Sequence, residues 1–241
     1  MRLIYTGWCL FWLLLLFLLL FPLVFLCLQR ERWKPYAHRL NRLWGKLFFA
    51  AAGIKIKIEY QFHPDPTKTY VFCANHFSYL DIAVMGVIVE NYFAFVGKHG
   101  VKNIPLFGYM FRKLHIQVNR ENSQSRVGSL SRAIKTLAQG RSIMIYPEGG
   151  IKTKKPPQMY PFAEGAFKMA IQQQVPIVPI TLLTNFKILP DQEKLRIYRN
   201  PLRAVVHEPI STLGMKQEDI TALKEKCFQI IDETLRDYHK S

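Results

Sequence analysis

Residues 70–89 read YVFCANHFSYLDIAVMGVIV, and their pattern sets the fold class. The opening run, residues 70–74, is short, apolar and partly β-branched or aromatic, the pattern of a strand covered on both faces. The apolar stretch at residues 82–89 reads as a buried helix that follows it. Upstream, residues 54–59 alternate with period two, as in a strand with one wet face, and His63-Pro64-Asp65-Pro66 breaks that run. Downstream, short apolar runs recur at residues 93–96, 116–118, 142–146 and 177–183. Helical patterns lie between them, notably residues 126–139, which Gly140 is placed to cap. A polar-faced helix is predicted from Lys216 onward. Strands alternating with helices predict an α/β fold with a mostly parallel sheet flanked by helices.

The first 52 residues differ in character from the rest. No charged residue occurs from Leu3 to Leu28, which exceeds the roughly 20 apolar residues that cross a hydrocarbon core. A cleaved signal peptide would have an apolar region of about 7–15 residues ending in an A-x-A-like site, and neither feature fits. Residues 30–57 then carry eight basic residues (Arg30, Arg32, Lys34, Arg39, Arg42, Lys46, Lys55, Lys57) against one acid, Glu31, a local charge of +7. Trp33, Tyr36 and Trp44 interleave with these cations, as expected of a basic helix at a membrane interface. Flanking positive charge predicts that this side stays cytoplasmic, on the inner membrane in a bacterium, and attracts anionic membrane lipids. Pro22 leaves open whether the apolar helix spans the bilayer or dips into one leaflet. The expected organisation is a membrane anchor over residues 1–52 and an α/β domain over residues 53–241.

The chain of 241 residues is 49% hydrophobic, enough for one sizeable core, and its formal charge of +16 favours polyanionic partners. The apolar anchor argues against nucleic acid as that partner. Cys9, Cys27, Cys73 and Cys227 lie far apart, without zinc-site or disulfide-scaffold spacing, and read as reduced thiols. No Walker loop, G-x-S-x-G elbow, H-E-x-x-H helix or dinucleotide glycine pattern occurs, so no metal or redox cofactor is expected.

The candidate chemistry lies where the strand at residues 70–74 gives way to the helix, at Asn75-His76-Phe77-Ser78-Tyr79-Leu80-Asp81. Ligand sites of α/β folds collect at the carboxyl ends of strands. Five residues apart on one helix, two side chains diverge by about 140°. His76 and Asp81 can therefore meet only if His76 sits in the loop and Asp81 on the first helical turn. Asp81 would then fix one imidazole nitrogen and leave the other free to take a proton. Ser78 and Asp81 also have the S-x-x-D spacing of a helix cap, so a purely structural role stays open. Cys73, three residues before His76, offers a thiol for a covalent route, but a cysteine inside an apolar strand is ordinarily an unreactive core residue.

Four blocks in order resemble the glycerolipid acyltransferase family. They are Asn75-His76 with Asp81; Lys98, Pro105, Gly108 and Arg120; Tyr146-Pro147-Glu148-Gly149; and residues 175–180, preceded by Phe162 and Gly165. The resemblance implies that His76 is the general base on an acceptor hydroxyl, oriented by Asp81. It implies that Asn75 and Lys98 belong to the substrate site, that Arg120 holds the acceptor phosphate, and that Glu148 and Gly149 close around the acceptor's polar end. The chain departs from the family where Thr-Arg often follows the third block: Gly150-Ile151 stands there instead, and Lys152 is the nearest replacement cation. Leu114 or His115 likewise stands where a glycine is usual before the second block's arginine. The implied reaction moves a fatty acyl group from acyl-coenzyme A or acyl carrier protein to a lysophospholipid, with 1-acylglycerol 3-phosphate as the expected acceptor. A lysolipid with another headgroup, or a non-catalytic protein that binds anionic membranes, is the alternative.

Overall fold

The computed structural model describes residues 2–98, 104–119, 122–192 and 194–240. Its centre is strand β2 (Val71–Ala74), all four of whose residues are fully buried. Side chains of a strand point alternately to the two faces of its sheet. Phe72 and Ala74 accordingly join one core with helices α2 (Lys34–Ala51) and α3 (Asp81–Ile88). Val71 and Cys73 join a second core with α5 (Ser123–Ala138), α6 (Gly165–Gln173) and α8 (Ile220–Lys240) on the opposite face.

Strand β2 lies between β5 (Ser142–Ile145) and β6 (Ile177–Leu182), parallel to both. Beyond β5 the sheet continues through β3 (Phe93–Lys98) and β4 (Ile116–Val118), again in parallel. Beyond β6 it reverses: β7 (Leu202–Val206) pairs antiparallel with β6, and β1 (Ile56–Tyr60) pairs parallel with β7. The seven-stranded order is β1-β7-β6-β2-β5-β3-β4. The α/β class and mostly parallel sheet agree with the pattern in the sequence, and the left-handed Gly140, at φ +77, closes α5 as expected. Strand β7, α4 (Phe107–Leu114), α6 and the short α7 (Asn185–Ile188) carry too weak a pattern to be found there.

Helix α1 (Arg2–Cys27) is a single helix that continues through Pro22. It is long and apolar enough to cross a membrane. It packs antiparallel on α2, and both of its ends meet the domain. At its start, Tyr5 donates to the Ala52 carbonyl at 2.8 Å and Thr6 accepts from the Ile197 amide at 3.1 Å. At its midpoint the Trp44 indole donates to the Leu13 carbonyl at 3.1 Å. At its end, Val24 and Leu28 form a third cluster with Ala37, Met110 and Leu114. Leu3, Ile4, Leu14, Leu19 and Leu26 of the same helix are more than half exposed, which leaves an apolar stripe facing outward. Phe48 and Phe49 of α2 are almost fully buried in the same core as Phe72, so the basic helix is welded to the sheet.

Helix α2 approaches α3 closely because Gly45 has no side chain. A Cβ there would lie 2.9 Å from Val87 Cγ2 and 3.5 Å from the Ala83 carbonyl oxygen. Gly45→Leu is expected to destabilise the protein by about 1–3 kcal/mol through overpacking, measured by chemical unfolding. A variant as stable as the parent would contradict this close packing.

Candidate active site

The loop between β2 and α3 carries the candidate site, at the carboxyl end of the central strand. His76 lies in that loop and Asp81 is the first residue of α3, the placement that their spacing demanded. The His76 Nδ1 lies 2.9 Å from Asp81 Oδ2. The same oxygen accepts the backbone N–H groups of Phe77 at 2.9 Å and Ser78 at 3.0 Å. The second oxygen, Oδ1, accepts from the Asn185 side-chain amide at 2.8 Å. Asp81 is only 1% exposed, and a buried carboxylate needs such partners to stay in place. It therefore does both things that the sequence held apart: it reaches back to the loop amides and it orients the histidine. Ser78 adds its own turn, its Oγ accepting from the Leu80 amide at 3.1 Å and donating to the Leu189 carbonyl at 2.7 Å.

The face of the imidazole is fixed as well. The Tyr146 ring stacks on it with centroids 4.1 Å apart and 13° between the planes. Burial and the neighbouring Asp81 charge push the Tyr146 hydroxyl well above its ordinary pKa, so the platform stays neutral. With Nδ1 held by a carboxylate and one face covered, His76 presents its remaining nitrogen, Nε2, as the group able to accept a proton.

Asn75 and Glu148 were expected at the substrate, but the structure gives both side chains to the backbone. Asn75 is fully buried; its amide donates to the Leu182 carbonyl at 3.0 Å and accepts from the Leu182 amide at 2.7 Å, stitching β2 to β6 where the loop begins. Glu148 is 1% exposed, and its two oxygens accept from the His76 amide at 2.7 Å and the Tyr160 amide at 2.8 Å. Burial pushes its carboxyl up to about 7, the two amide donors opposing that rise. The tight turn that delivers Glu148 closes with the Gly149 amide on the Tyr146 carbonyl, and Gly149 stands at φ +80, where glycine is favoured.

The expected cations are more scattered. Lys152 is exposed and its ammonium sits 4.4 Å from the centroid of the Tyr160 ring, beside Gly149. Lys98 ends β3, opposite Val118. Arg120 lies outside the described residues. Cys73 is a fully buried core residue whose thiol is pushed well up by burial. Among the described residues, no group of three or more metal-ligating side chains converges. Asn185 and the stacking of Tyr146 were missed in the sequence. Asn185 lies 104 residues from its partner with no local signal, and Tyr146 was seen only as one letter of a motif.

The chain is 30% identical over 174 residues to a 1-acyl-sn-glycerol-3-phosphate acyltransferase of Chlamydomonas reinhardtii, covering 72% of this chain and 52% of that protein. It is 29% identical over 179 residues to a chloroplast protein of the same description from Arabidopsis thaliana, covering 73% and 49%. The chain thus spans about half the length of the curated relatives it matches. In fold it is similar to the crystal structure of the 1-acyl-sn-glycerophosphate acyltransferase of Thermotoga maritima, with a TM-score of 0.82 at 19% identity, over 100% of this chain and 97% of that one. The acyltransferase family model matches residues 55–183, more than half of the chain, His76 and Asp81 included, and the chain belongs to that family.

Proposed function

We propose that this protein transfers a fatty acyl group from an acyl thioester, on coenzyme A or acyl carrier protein, to the sn-2 hydroxyl of 1-acylglycerol 3-phosphate, forming phosphatidic acid. The observation that carries the proposal is the buried His76–Asp81 pair, 2.9 Å apart, at the carboxyl end of the central strand. Relatives described as 1-acyl-sn-glycerol-3-phosphate acyltransferases support the choice of acceptor. The exposed apolar stripe of α1 and the cations of α2 support a seat on an anionic membrane, with the catalytic domain on the cytoplasmic face.

In the proposed reaction, His76 Nε2 takes the proton of the acceptor hydroxyl as its oxygen attacks the thioester carbonyl. The imidazolium so formed is stabilised by the Asp81 carboxylate. Collapse of the tetrahedral intermediate forms the ester and breaks the carbon–sulfur bond. The imidazolium then gives its proton to the departing thiolate, which restores neutral His76 and releases a thiol. Asn75, Glu148 and Tyr146 act as positioning residues that hold the loop and the ring. Arg120, with Lys98 and Lys152, supplies cations for the acceptor phosphate and the anionic donor. Gly149 leaves the chain close to the polar end of the acceptor.

A thiol-release assay on the purified protein, with acyl-coenzyme A and a panel of lysolipids and with products identified by mass spectrometry, tests this reading. Turnover on 1-acylglycerol 3-phosphate is expected to exceed that on lysolipids with other headgroups, and no turnover on any of them would overturn the reading. His76→Ala is expected to lower the rate by about 10²–10⁴ or more with an unchanged circular dichroism spectrum; a parental rate would overturn the base assignment.

Asp81→Asn keeps loop acceptance but removes the charge that stabilises the imidazolium. It is expected to lose about 10²-fold or more in kcat. An unimpaired Asp81→Asn enzyme would reduce Asp81 to a cap.

Glu148 titrates near pH 7 in the folded protein against an ordinary value of 4.5, so the folded chain keeps a proton that the unfolded chain has lost between these limits. Stability contributed by Glu148 is therefore full below about 4.5 and declines as pH rises toward about 7. Buried His38 and His207, pushed down to about 4 by burial, titrate with the opposite sense, so the comparison must be between parent and Glu148→Gln. The stability advantage of the parent is expected to shrink across that window in denaturant titrations at stepped pH. An advantage that stays constant would contradict the buried clamp.

A further inference from the structure

At the turn between α1 and α2 a groove of about 520 Å³ opens on the outer surface of the hairpin. Leu23 and Leu26 of α1 form one wall, Leu40 and Leu43 of α2 the other, and Trp33 and Arg39 also line it. Three of these leucines are strongly exposed, Leu23 at 52%, Leu26 at 58% and Leu43 at 43%. An apolar trough of this size is in the range of lipid and small-molecule sites.

Cations flank the groove: Arg39 is part of its lining, and Arg30 and Arg32 stand at the same turn. The Arg39 guanidinium stacks 5.6 Å from the centroid of the Tyr36 ring, and those of Arg30 and Arg32 lie 5.0 and 5.5 Å from the centroid of Trp33. Stacking of this kind holds guanidinium groups in place while their N–H edges stay open to a phosphate. The one acid of this turn, Glu31, is paired with Lys34 at 2.5 Å, so it does not compensate the arginines. An apolar slot flanked by fixed guanidinium groups is complementary to one class of molecule, an amphiphile with an acyl chain and an anionic phosphate.

We infer that this groove binds one anionic glycerophospholipid, an acyl chain between Leu23, Leu26, Leu40 and Leu43 and the phosphate on Arg39, with Arg30 and Arg32 contributing field. The site is separate from the chemistry at His76. None of the residues that line the groove is among those that hold His76 and Asp81. The bound lipid thus acts as a structural or regulatory ligand of the membrane seat, fixing the hairpin turn at the level of the headgroups.

The test uses the full chain purified in neutral detergent, with retained lipid counted by native mass spectrometry during titration with phosphatidylglycerol or phosphatidylcholine. One phosphatidylglycerol per chain is expected at concentrations where phosphatidylcholine is not retained. Arg39→Gln is expected to weaken that retention about fivefold, the effect of one cation near an anionic lipid, and Arg39→Lys to restore part of it. Leu26→Trp, which fills the trough and leaves every charge, is expected to weaken it as well. Lys226→Gln, on the exposed face of α8, is expected to leave it unchanged. Equal retention of the two lipids, or parental retention by Arg39→Gln, would overturn the inference. So would a dimer that forms without lipid and is broken by Leu26→Asp, which would assign the groove to a second copy of the chain.

Discussion

The Asp81 carboxylate is the group on which the site depends. One of its oxygens accepts the His76 imidazole and the amides of Phe77 and Ser78, and the other accepts Asn185. These four donors make burial of a charge tolerable, and the same four contacts dictate the shape of the loop. The loop cannot relax away from its observed form without stranding a carboxylate among apolar side chains. The orientation of the imidazole and local stability therefore rest on the same bonds, and a change to Asp81 would be felt in both.

Around this centre the support is largely backbone-directed. Asn75 fastens the start of the loop to β6, and Glu148 fastens the His76 amide to that of Tyr160. Three parallel strands, β2, β5 and β6, bring these side chains together at their carboxyl ends, although they stand up to 107 positions apart in the chain. The stack of Tyr146 on His76 completes the cage from the strand that neighbours β2. A parallel sheet with both faces covered is well suited to this, because it delivers rigid strand ends to one edge.

Much of this was legible in the residues, for definite reasons. Strands β2, β4 and β6 are apolar runs with sharp ends, and α5 has helical period with a glycine stop, so each was found within a few positions of its observed limits. The His76–Asp81 contact followed from spacing alone, because a five-residue separation permits contact only across a loop-to-helix junction. Strand β7 was not legible: Leu202–Val206 is five residues long, includes Arg203, and draws its strand character from pairing with β1 and β6. The inward turns of Asn75 and Glu148 were hidden for a related reason. Polar side chains in a motif suggest ligand contact, and only the positions of Leu182 and Tyr160 in space reveal that backbone groups claim them first. Helix α1 could be recognised as apolar and long, but its attachment to the domain at both ends depends on Ala52, Ile197 and Tyr109, which no local pattern connects to it.

The tautomer of His76 is the most direct measure of whether Asp81 aims the imidazole. Nitrogen-15 NMR of the full chain labelled in histidine, with His76 assigned by comparison with His76→Gln, reads the state of both ring nitrogens near neutral pH. In the neutral ring the geometry requires the proton on Nδ1, which leaves Nε2 bare. A ring protonated on Nε2, or one exchanging freely between the two neutral forms, would contradict it.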